Sequence, residues 1–90
     1  MNDVLKEVIA KNGKVYQMII AMEEMSELTK ELSKCIRGAN NRDQIIEEVA
    51  DVYIMLNQIE MIHNISKTEL FNMMNTKLDR LKERMDHEPV

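Results

Sequence analysis

Residues 45–62 read IIEEVADVYIMLNQIEMI, and the periodicity of this stretch decides the fold. Placed on a helix at about 100° per residue, Ile45, Ile46, Val49, Ala50, Val52, Tyr53, Ile54, Met55, Leu56, Ile59, Met61 and Ile62 occupy nearly the whole circumference. A helix that is apolar all round is buried all round, by its own chain or by another subunit. Two acids interrupt the pattern. Glu48 shares a stripe with Val52 and Ile59, and Asp51 shares one with Met55 and Ile62. A carboxylate among apolar side chains persists only when protonated, ion-paired or bound to a metal.

Outward from this stretch the chain reads as helix after helix. Upstream, Val15, Met18, Ala21, Met22, Met25, Leu28, Leu32 and Ile36 recur at i, i+3, i+4 spacing and predict a helix over about residues 14–36. Before it, residues 2–12 make a short amphipathic segment with Val4, Leu5, Val8 and Ile9 on one side, and Gly13 offers a stop or a bend. Gly38 suits the end of the second helix. Asn41, with Gln44 three residues on, reads as the capping start of the central one. Ser66-Lys67-Thr68-Glu69 is a capping box that opens a last helix running to about Met85, with Leu70, Met74, Leu78, Leu81 and Met85 as its buried seam. The short loop between the second and third helices makes them an antiparallel hairpin. The expected class is all-α, a single domain over residues 1–90. An apolar third helix in so small an array is left with an uncovered face, which predicts a homo-oligomer.

The 90 residues carry 12 lysines and arginines against 16 acids, a net charge of −4. That balance gives no cationic footprint for a nucleic acid polymer and no basic cluster for a membrane surface. No apolar stretch reaches the length of a membrane span. One cysteine, Cys35, cannot form an internal disulfide, and a reducing cytoplasm is the expected location. Cys35 itself reads as a small filler, and His63 and His87 lack zinc-ligand spacing.

The chemistry sits in the acids. Glu24 and Glu27 are three residues apart on the second helix, so their Cβ atoms lie roughly 5–6 Å apart on one face. Glu48 and Asp51 repeat that spacing on the third. The hairpin offsets the two pairs by about one helical turn, roughly 5–6 Å, a gap that side-chain reach covers. Four carboxylates then converge on one groove, and neither helix offers cations on the facing stripes. An ExxE pair alone is usually a solvated face, as expected for Glu23, Glu31 and Glu47. An ExxD pair on an otherwise apolar helix is much rarer. An all-oxygen ligand set without histidine or cysteine favours Mg²⁺, with Mn²⁺ as a substitute. The chemistry such a site serves is in-line displacement at phosphorus.

Glu23-Glu24-Met25-Ser26-Glu27, then twenty residues, then Glu48-Val49-Ala50-Asp51, resembles the EExxE…ExxD signature of the MazG-like nucleoside triphosphate pyrophosphohydrolases. These belong to the all-α NTP pyrophosphatase superfamily, with the dimeric dUTPases and phosphoribosyl-ATP pyrophosphohydrolase. Gln17, Ser33-Lys34-Cys35-Ile36-Arg37-Gly38 and Lys77-Leu78-Asp79-Arg80-Leu81 extend the likeness over residues 13–84. The resemblance implies a four-helix MazG-like bundle completed by oligomerisation into dimers or tetramers. It also implies cleavage between the α and β phosphates of a (d)NTP, giving a (d)NMP and pyrophosphate. By position, Glu24, Glu27, Glu48 and Asp51 correspond to the family's catalytic Mg²⁺ ligands. The alternatives are a phosphoribosyl-ATP-type substrate, or a catalytically silent helical module that binds nucleotides or partners.

On the last helix Met73, Lys77, Arg80 and Arg84 share a stripe, where cations suit triphosphate oxygens. Lys77 and Arg80 are the preferred phosphate contacts, also because they match the family pattern. Lys34 is a further candidate, and Asn75 could hydrogen-bond a base or ribose. There is no tryptophan, so base stacking falls to Phe71, Tyr16 or Tyr53.

Overall fold

A computed structural model describes residues 1–87 as four helices, with no strand among them. They are α1 (Asn2–Asn12), α2 (Lys14–Ile36), α3 (Arg42–Ile62) and α4 (Lys67–His87). Their bounds follow local chemistry. Gly13 separates α1 from α2 at φ +91°, a left-handed conformation that an L side chain rarely adopts. At the end of α2, Ala39 N–H donates to Lys34 O at 3.0 Å and Gly38 N–H to Cys35 O at 2.9 Å, with Gly38 at φ +99°. The pattern is a Schellman cap, which satisfies carbonyls the helix leaves open. The same cap ends α3. Ile65 N–H reaches Glu60 O at 2.9 Å, and Asn64 takes the left-handed position at φ +53°. The predicted capping box opens α4: Glu69 N–H donates to Ser66 Oγ at 3.1 Å, and Ser66 N–H to Glu69 Oε2 at 3.0 Å.

α2 and α3 pack side by side as the predicted antiparallel hairpin, and α1 leans on both near the end remote from the 37–41 loop. The buried apolar set is small: Leu5, Ala21, Met55 and Ile62. α3 is therefore not enclosed by its own chain. Tyr53 is 65 % exposed, and Ile46, Ile54 and Leu56 are exposed beside it.

α4 differs most from the expectation. Its apolar seam predicts a buried face, yet its backbone approaches none of the other helices. Met74, Leu78, Leu81 and Met85 are all exposed, Leu78 at 57 %, and only Leu70 at the start is half-buried. A side-chain link, Lys67 Nζ to Glu60 Oε1 at 2.7 Å, ties its first residue to α3. The chain accordingly spans 52 × 37 × 20 Å with a radius of gyration of 16.6 Å, against roughly 12 Å for a compact chain of this length. Its accessible surface is 7352 Å², where a compact monomer of this mass exposes roughly 5,500 Å².

Candidate metal centre

The α2–α3 seam carries polar residues at intervals of seven. Gln17, Glu24 and Glu31 line it on α2, and Asn41, Glu48, Asp51 and Gln58 on the opposite side. They pair into three rungs across the hairpin.

The two outer rungs are satisfied from within. Gln17, 4 % exposed, donates through Nε2 to Gln58 Oε1 at 2.7 Å, and Gln58 is 3 % exposed. Asn12 Nδ2 in turn donates to Gln17 Oε1 at 3.0 Å, so this rung joins α1, α2 and α3. At the loop end, Asn41 Nδ2 donates to the Glu31 backbone oxygen at 2.9 Å and to its Oε2 at 3.2 Å. Lys34 Nζ lies 3.4 Å from Glu31 Oε1. Asn41 immediately precedes α3 as predicted, but its side chain does not cap that helix. It clamps the end of α2 instead. Glu31, expected on a solvated face, is buried by this contact.

The middle rung contains only acceptors. One carboxylate oxygen from each of Glu24, Glu48 and Asp51 lies within 4.8 Å of the other two. No ion pair among the described residues reaches any of them. Glu48 Oε2 is enclosed and has no hydrogen-bond partner. Partial burial, the adjoining Asp51 carboxyl and the charges of Glu48 and Glu27 raise the Glu24 pKa above its usual value. Burial, followed by repulsion from Asp51, Glu27, Glu31 and Glu47, raises that of Glu48. Both shifts express one conflict: negative charge gathered without a counter-charge.

A hard divalent cation resolves that conflict. Mg²⁺ takes oxygen ligands at about 2.0–2.1 Å, which sets its ligand oxygens within roughly 4 Å of one another. The three carboxylate oxygens, within 4.8 Å of one another, could hold such an ion, and the enclosed Glu48 Oε2 is an acceptor without a partner.

The other site residues read from the sequence lie further out. Glu27 is exposed on α2 and stands outside the trio, although its charge acts on Glu24 and Glu48. Lys34 is engaged with Glu31. Lys77, Arg80 and Asn75 are exposed on α4, which packs against neither acidic helix. Lys77, Arg80, Leu81, Glu83, Arg84 and His87 line a shallow hollow along the second half of α4, so its cations have an acid among them. Phe71, Tyr16 and Tyr53 are exposed, and Cys35 lies on the surface rather than in the core. The reading from sequence missed the two amide clamps, whose signal was the seven-residue recurrence of polar positions on the apolar arcs.

Comparison with protein-family models, with curated proteins and with solved structures finds no match to this chain.

Proposed function

We propose that this chain is a MazG-like, Mg²⁺-dependent nucleoside triphosphate pyrophosphohydrolase that works as a homo-oligomer. One observation carries the reading: the middle rung of an otherwise self-satisfied seam consists of carboxylates alone, one with an enclosed and unpartnered oxygen. Glu24, Glu48 and Asp51, with Glu27 at the rim, are the residues that hold the cation. When bound, a divalent ion neutralises phosphate oxygens and acidifies a water molecule.

The chain's own residues do the rest. The hairpin fixes the carboxylates on two rigid helices, and the amide clamps two turns away on either side hold their register. A carboxylate of the site that is not taken up by the cation accepts the water's proton. The water oxygen bonds to the α phosphorus, the α–β anhydride bond breaks, and pyrophosphate leaves in line. The homo-oligomer gives the exposed faces of α3 and α4 their partner and completes the four-helix arrangement.

Pyrophosphate release from a panel of NTPs and dNTPs tests the proposal. Mg²⁺-dependent release of pyrophosphate with a nucleoside monophosphate supports it. Release of orthophosphate alone, or no release with any member of the panel, overturns it.

A further inference from the structure

We propose that a cleft between α1, the end of α3 and the root of α4 binds a small aliphatic anion, an alkyl chain carrying a carboxylate or phosphate head. The site lies outside the acidic seam and does not depend on what that seam does.

The cleft has a volume of about 520 Å³, within the roughly 300–1,000 Å³ that small-molecule sites occupy. Helical spacing builds its two walls. Asn2, Lys6, Ile9 and Ala10 recur at i, i+4, i+7 and i+8 on α1. Asn57, Glu60, Met61 and Asn64 recur at i, i+3, i+4 and i+7 along the end of α3 and its cap. Lys14 at the start of α2, with Ile65 and Lys67 at the root of α4, extends the lining.

That lining divides into an apolar half and a cationic half. Ile62 is buried, and Ile9 and Met61 are half-buried, which gives the cleft an aliphatic floor. In a chain of net charge −4, three lysines line it against one acid, Glu60. That acid is already neutralised, since Lys67 Nζ lies 2.7 Å from Glu60 Oε1 and the Glu60 side chain is only 16 % exposed. No ion pair among the described residues takes up Lys6 or Lys14. Two ammonium groups are therefore left beside the aliphatic floor, and an anion with an apolar body matches both halves.

Residue types narrow the class. No aromatic ring lines the cleft, so a nucleobase has no platform on which to stack. No arginine lines it either, so there is no planar fork for bidentate recognition. Lysines act as point charges toward any compact anionic head, while isoleucine and the adaptable methionine pack against a flexible chain. Because Ile65 and Lys67 belong to the root of α4, an occupant also bridges that helix to α1, whose backbone it does not approach.

Titration of the full chain with octanoate, octyl phosphate, octanol and acetate tests the proposal, read by methyl NMR and calorimetry. Octanoate or octyl phosphate is expected to bind saturably, with shifts confined to the methyl groups of Ile9, Met61, Ile62 and Ile65. The tighter of the two identifies the head group. Octanol, which lacks the charge, is expected to bind roughly fivefold more weakly, and acetate, which lacks the chain, not to bind at the same concentration. Lys6→Ala with Lys14→Ala alters two exposed side chains, so the helical spectrum is kept. Affinity for the anions then falls roughly fivefold while that for octanol does not change. Octanol binding as tight as octanoate overturns the proposal, as does an anion affinity indifferent to the lysine variant. Shifts spread along Met74, Leu78 and Leu81 of the α4 seam, or no saturable binding at millimolar concentration, overturn it too. Absence of pyrophosphate release from the wild-type chain bears on the acidic centre alone, so the two readings fail separately.

Discussion

Glu48 combines an enclosed oxygen without a partner, repulsion from four acids (Asp51, Glu27, Glu31 and Glu47), and a raised proton affinity. Replacing it by glutamine, or Asp51 by asparagine, removes one of the proposed cation-holding carboxylates while keeping its shape. Each variant is expected to lose Mg²⁺-dependent pyrophosphate release by on the order of 10³-fold, with an unchanged helical spectrum. Turnover near that of the wild type in either variant would remove these side chains from the site. The same repulsion sets a pH dependence. Glu24 and Glu48 have folded-state pKa values above the ordinary 4.5, so the folded chain binds their protons more tightly than the unfolded one. Their stabilising contribution is complete below about pH 4.5 and is lost as pH rises through the raised values. Glu69 has the opposite sign, because its carboxylate accepts the Ser66 N–H and its pKa is lowered. Its contribution is present above pH 4.5 and is lost as pH falls through the lowered value. Thermal melts of metal-free protein are therefore expected to show higher midpoints near pH 5 than at pH 8, a difference that saturating Mg²⁺ narrows. The opposite slope would contradict the crowding of negative charge. At this scale the sequence was informative about the acids, since ExxD on an apolar stripe is a visible contradiction. For Gln17, Gln58 and Glu31 it offers only the seven-residue recurrence, which says where a polar side chain falls on an apolar arc but not what it pairs with, 41 or 10 residues away.

The helices themselves were legible to within a residue or two. Glycine, the left-handed asparagine and the capping box mark their ends by local rules that need no tertiary context. Gly38 makes this testable. A Cβ there meets nothing within 4 Å, so the cost of Gly38→Ala is confined to its φ of +99°. Urea denaturation is expected to show a loss of about 1–2 kcal/mol, and no loss would mean that the turn is not held left-handed. The hairpin seam offers a second test. Gln17→Leu or Gln58→Leu alone strands a buried amide and costs about 1–3 kcal/mol. The double variant is expected to lose less than the sum, because both polar groups then leave together. Strict additivity in that cycle would deny the 2.7 Å bond between them.

At the scale of the whole molecule the prediction from sequence divides. Four helices in order, with the second and third paired, follow from periodicity and loop length. The placement of α4 does not, since its seam shows that it must be covered and leaves open which chain covers it. The large exposed apolar surface is what the proposed homo-oligomer would cover, and it makes association testable. The thermal midpoint is expected to rise by roughly 3–5 °C for each tenfold increase in protein concentration. A midpoint indifferent to concentration would mean that the exposed faces are tolerated in a monomer. The isolation of α4 also imposes a sequence of events in time. Helices α1 to α3 hold one another through neighbours in the chain, so they are expected to form first. α4 packs on none of them, and in the proposed homo-oligomer it settles only against another copy. Refolding from denaturant is thus expected to begin with a rapid unimolecular step and to finish in a slower one whose rate scales with the amount of protein present.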